Sequence, residues 1–104
     1  MSQEVKIVRI RLVGRRWKTT FIEELAKTIR EFFGEDVQVR LNSFLTPDTR
    51  FPITDFDVFK EAPETELEKL RKQVDELLEK HGYSARRLLT VKTVITRMVP
   101  EEGQ

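Results

Sequence analysis

Over residues 5–13 the chain reads Val-Lys-Ile-Val-Arg-Ile-Arg-Leu-Val. Val8, Ile10 and Leu12 fall on one period-two face, and Arg9 and Arg11 on the other. This alternation predicts a strand with one buried and one polar side. The period then changes. Phe21, Ile22, Leu25, Ile29, Phe32 and Phe33 recur at three- and four-residue spacing, the apolar stripe of a helix, and Gly34 marks its stop. Thr20 and Glu23 match the T-x-x-E capping box, so the helix is expected to open at Thr20.

Period two returns over residues 36–45, with Val37, Val39 and Leu41 expected inward and Gln38, Arg40 and Asn42 outward. Thr46-Pro47-Asp48-Thr49-Arg50 has the chemistry of a turn. A third strand follows over residues 51–60, where Thr54, Phe56 and Val58 alternate with Asp55 and Asp57, and Pro52 limits how early it joins a ladder. A second helix is predicted after Pro63, with Thr65 and Glu68 as another T-x-x-E box. Leu67, Leu70, Val74, Leu77 and Leu78 form its stripe and Gly82 its stop. A last strand is predicted over residues 88–99, closed by Pro100 ahead of a polar tail, 101–104, expected to be disordered.

Strand, helix, strand, strand, helix, strand is the order of the ferredoxin-like two-layer sandwich, an α+β class. Right-handed crossovers give it an antiparallel sheet in spatial order 4-1-3-2 with both helices on one face. Residues 1–100 are read as one such domain, and 104 residues leave no room for a second core.

The helix-free face collects the polar alternates Arg9, Arg11, Asp55, Asp57, Arg40 and Lys92. Strands one and three are central neighbours, so Arg9 and Arg11 can face Asp57 and Asp55, each facing pair contributing roughly 0.2–1 kcal/mol. One reading is a solvated face carrying ion pairs; the other is a polar interface for a second copy or a partner. RNA-recognition motifs resemble this element order, but they stack bases on aromatic residues at the centres of those two strands. Arg and Asp occupy the corresponding places here, which counts against a base-stacking sheet.

Charge becomes informative only through this topology. Lys+Arg 19 against Asp+Glu 18 leave a net charge of +1, so bulk charge favours neither a nucleic-acid protein nor an acidic one. The topology gathers Arg15, Arg16, Trp17, Lys18, Arg50, Arg86 and Arg87 at one end of the sheet. Glu4, Glu35, Asp36, Glu61, Glu64, Glu66 and, past the last strand, Glu101 and Glu102 gather at the other. The basic rim, close to a helix N-terminus, is a candidate for phosphate, carboxylate or nucleic-acid backbone, or for an acidic protein surface. Its bland alternative is a set of solubilising loop arginines, with Trp17 serving as a lid on the first helix. The 36% charged content and absence of cysteine match a heat-adapted protein. No apolar run reaches membrane-spanning length and no leader is evident, so a cytoplasmic protein is expected, without a membrane partner.

Signs of catalysis are sparse. Leu12-Val13-Gly14-Arg15 before a helix resembles the acylphosphatase loop, in which a Gly-Arg turn holds a phosphate. The resemblance covers those residues alone, and the second strand shows no matching Asn context, so the activity is not carried over. The long second helix ending in glycine before a Thr-rich strand is similar in outline to small thiamine-binding-like proteins. His81, the single histidine, rules out a two-histidine metal site and suits the negative end of a helix. No metal or other cofactor and no catalytic residue is therefore assigned. The leading expectation is a non-catalytic interaction or assembly module forming a homo-oligomer through sheet edges or the open face, with the long fourth strand as the favoured edge. Anion or nucleic-acid binding through the rim, and a small-ligand or acylphosphatase-like role, are the alternatives.

Overall fold

The computed structural model describes residues 3–14, 17–45, 52–83 and 89–98. Within them the order is β1 (Gln3–Val13), α1 (Thr19–Phe33), β2 (Val39–Phe44), β3 (Ile53–Val58), α2 (Glu64–Lys80) and β4 (Leu89–Met98). The sheet runs β2-β3-β1-β4, every neighbouring pair antiparallel, which is the ferredoxin-like order expected from the alternation of periods. The turn at 46–50 and the tail at 101–104 lie outside the described residues.

One face of the sheet and the two helical stripes make the core. Val8, Ile10, Leu12, Phe56, Val58 and Val91 meet Phe21, Leu25, Ile29 and Phe33 from α1 and Leu67, Leu70, Val74 and Leu78 from α2. Arg71 ties α2 to the sheet by donating to the Val91 carbonyl.

The helix starts differ from the capping-box expectation. Each begins one residue before its threonine, with Lys18 and Pro63 in extended conformation at the N-caps, and neither cap carries a side-chain hydrogen bond. Thr20 and Thr65 thus sit inside the first turn. At α2 the Pro63 carbonyl accepts from Glu66 and Leu67, while Glu64 and Glu66 place negative charge at the positive end of the helix. Proline's fixed extended geometry starts this helix in place of a hydroxyl cap.

Both glycine stops operate, each in its own way. Gly82, at φ 80°, closes α2 with Gly82 N–H donating to Glu79 O and Tyr83 N–H to Leu78 O, the paired bonds of a Schellman end. Gly34 has φ 115° and ψ 149°, outside the left-handed helical region and in territory open essentially to glycine alone. An alanine there would also place Cβ 3.4 Å from Asp36 Oδ1. Gly34→Ala is expected to lower stability by about 1–3 kcal/mol, read as an earlier urea midpoint; an unchanged midpoint would show that the turn reshapes freely.

The edge strand β2 departs most from the pattern. Its alternation anticipates Leu41 facing inward, yet Leu41 is 49% exposed and no residue of the strand is fully buried. β2 keeps its strand geometry, but only Val39, at its start, is even partly buried.

Candidate functional site

The helix-free face of the sheet is built by cross-strand register. Arg9 stands opposite Asp57, Arg11 opposite Asp55, Arg40 opposite Asp57, and Lys92 opposite Arg9. Directly facing residues in an antiparallel sheet share a side, so all six charged residues expected there are brought together. The contacts are two-pronged. Arg9 donates from Nε to Asp57 Oδ1 at 2.7 Å and from Nη2 to Oδ2 at 3.0 Å. Arg11 makes the matching pair to Asp55, both at 2.8 Å. Arg40 adds a third donor to Asp57 Oδ2 at 3.2 Å, and its guanidinium lies 5.5 Å from the Phe59 ring centre.

The ion pairs of the first sequence reading are present, with Arg40 and Lys92 exposed, but the aspartates lie beneath them. Asp55 and Asp57 are 2% and 0% exposed, sealed under the guanidinium groups that neutralise them. Burial pushes the Asp57 carboxyl up, but the Arg9 hydrogen bond and charge, with Arg40 adding, outweigh it and hold it below the ordinary carboxylate range. The Asp57 hydrogen bond likewise raises Arg9, and that of Asp55 raises Arg11. An aspartate kept ionised and ringed by donors makes a poor general acid. The arrangement is a clamp across β2, β3 and β1.

A second feature lies at the other side of β2. A cleft of about 320 Å³ opens there between Trp17 and Ile22 on one wall and Leu41 and Ser43 on the other. Thr54 and Pro52 complete it, with Gly14, whose N–H donates to the Pro52 carbonyl. Ser43 Oγ and Thr54 Oγ1 sit 3.3 Å apart, a hydroxyl pair within otherwise largely apolar walls.

The basic rim is described only in part. Arg15, Arg16, Arg50, Arg86 and Arg87 lie outside the described residues. Trp17 is half-buried, its ring 5.4 Å from Phe21 and 4.8 Å from Tyr83, and it lines the cleft. Lys18 turns toward the end of α2, its backbone N–H donating to Tyr83 Oη at 2.7 Å and its ammonium to the His81 carbonyl at 3.2 Å. His81 places Nε2 3.1 Å from Glu24 Oε1, so its imidazole bridges the end of α2 to α1. Tyr83, Ser43 and the exposed side of β2 were not singled out from sequence. The adjacency of Phe44 and Leu45 was the available signal, two apolar residues in succession where a strand with one buried face alternates.

Among the described residues no group of three or more His, Cys, Asp or Glu could hold a metal ion, and no helix is long and apolar enough to cross a membrane. No family model matches the chain and no curated protein matches it. Solved structures share its fold. The apo form of CPII, a nitrogen regulatory PII-like protein from Thiomonas intermedia K12, matches with a TM-score of 0.52 at 10% identity, over 95% of this chain and 100% of that one. CPII bound to ADP, AMP and bicarbonate matches with a TM-score of 0.47 at 13% identity, over 97% and 100% of the two chains. At such identities the likeness is one of fold.

Proposed function

We propose that the chain is a non-catalytic assembly module that works as a homo-oligomer and joins its copies through the sheet. One observation carries this reading. Among the described residues the exposed large hydrophobic side chains are Leu41, Phe44 and Leu45, at 49%, 38% and 67%, and all three lie on or beside the unpaired edge strand β2. A chain that is 36% charged has ample means to solvate an edge, yet this one carries its apolar exposure there. Clustered apolar exposure on an open edge is a pairing surface in waiting. The arginines and aspartates of the helix-free face bind one another, which leaves them to stiffen the sheet and supports a structural role.

Light scattering on a sizing column is expected to give a mass of a dimer or larger. A monomer mass that persists at high protein concentration would remove the proposal.

The cleft favours a second reading, a small-ligand site. Its volume of about 320 Å³ and its few polar groups in apolar walls fall at the lower end of ligand pockets, roughly 300–1,000 Å³. Trp17 is the only tryptophan and lines the cavity, so its fluorescence reports occupancy directly. A thermal-shift screen of phosphorylated and aromatic metabolites is expected to find a ligand that raises Tm and changes Trp17 emission saturably. A screen in which neither signal moves would count against this reading.

A further inference from the structure

We infer that two copies pair β2 to β2, antiparallel, around a two-fold axis at Leu41; this rests on the self-association reading and names its interface. The backbone gives the first reason. Phe59 N–H donates to the Gln38 carbonyl, so Gln38 and, by the alternation of the ladder, Arg40, Asn42 and Phe44 point their backbone groups at β3. Val39, Leu41 and Ser43 therefore point theirs away from the sheet, at the open edge. These residues also set their side chains on the helix side, where Leu41 and Ser43 line the cleft.

The register follows from what each alternative brings together. An axis at Arg40 would set that arginine against its own mate, an unfavourable like-charge pair. An axis at Asn42 would set Leu41 against Ser43. With the axis at Leu41, that leucine meets its mate, Val39 meets Ser43, and Arg40 meets Asn42. Every outward backbone group of residues 39, 41 and 43 then finds a partner in the second copy. Leu41 of each copy comes to lie at the mouth of the other's cleft, which covers the exposed leucine.

Electrostatics and composition permit the approach. Arg40 is the one charged residue of Val39–Phe44, and its guanidinium is already paired to Asp57 at 3.2 Å. The strand has no lysine or proline, residues that commonly guard an edge. The opposite edge, β4, presents an exposed Lys92 and Thr93, so the preference moves from the fourth strand to the second.

The chain lacks cysteine, which makes a single introduced thiol a clean probe of register. A hydrogen-bonded antiparallel pair has Cα atoms about 5.5 Å apart, within disulfide reach. Leu41→Cys is expected to form a disulfide-linked dimer under mild oxidation, whereas Asn42→Cys and Ser43→Cys alone remain uncross-linked. Leu41→Lys, and Ser43→Pro, which removes an outward N–H that the internal ladder does not use, are both expected to reduce the oligomer to monomer mass with the circular dichroism spectrum retained. Cross-linking through Asn42 or Ser43 in place of Leu41 would overturn the register. An oligomer that survives Leu41→Lys would overturn this interface and leave self-association standing. A monomeric wild-type chain would remove both.

Discussion

Phe21→Ala is expected to cost about 3–5 kcal/mol of folding stability, the usual price of removing a fully buried phenylalanine. The ring is 0% exposed and sits where three parts of the molecule converge. Trp17 stacks on it from the segment before α1, and Tyr83 and His81 meet it from the end of α2 at 5.1 and 5.6 Å between ring centres. Lys18 links the same two segments through Tyr83 and His81, so little backbone is free to collapse into the space left behind. Urea denaturation followed by circular dichroism should show the loss as a large fall in midpoint. Trp17 emission in the folded variant should also move to longer wavelength, since the indole gains contact with water. A loss under 1 kcal/mol, well below the usual range, would mean that the neighbouring rings close the gap and that the cluster is loosely packed.

The same ring shows what sequence reading reaches. Phe21, Leu25, Ile29 and Phe33 were legible because a helical stripe announces its buried face by spacing alone, and all four are buried. Arg9 opposite Asp57 and Arg11 opposite Asp55 were legible because topology and alternation together determine who faces whom. The burial of those aspartates was not, since it depends on how long guanidinium side chains fold down over the sheet. Leu41 was misread for a related reason. Alternation tells which side of a sheet a residue takes, but whether a helix covers that side depends on where the helix axis lies. The cap threonines misled because a T-x-x-E spacing marks a cap only where the backbone leaves the threonine outside the helix. The N-caps fall two residues earlier, at Lys18 and Pro63. The cleft, which depends on how Trp17 and Ile22 stand across from Leu41 and Ser43, has no signature along the chain.

Asp57→Asn should be nearly as damaging as Phe21→Ala at neutral pH and almost harmless in acid. Asp57 is fully buried and accepts from Arg9 twice and from Arg40 once. Asparagine fills the same space but turns an –NH2 toward one of these donors and leaves a guanidinium charge without its counter-charge. Breaking a buried ion pair costs about 3–5 kcal/mol. The lower end applies here, because Arg9 and Arg40 retain 21% and 48% of their side-chain exposure and Asp55 Oδ2 lies 3.4 Å from Arg9 Nε as a substitute partner. Because Arg9 and Arg40 hold the folded-state carboxyl below its unfolded value of about 4, the stabilisation is fully present above that value. It disappears as pH falls through the lower, folded value. Wild type should therefore lose stability on acidification more steeply than Asp57→Asn, and the two urea midpoints should converge in strong acid. Parallel curves from neutral pH to acid would show that the clamp contributes shape and no charge. Its place as the brace that keeps β2 on the sheet, and so keeps an edge available for pairing, would then fall with it.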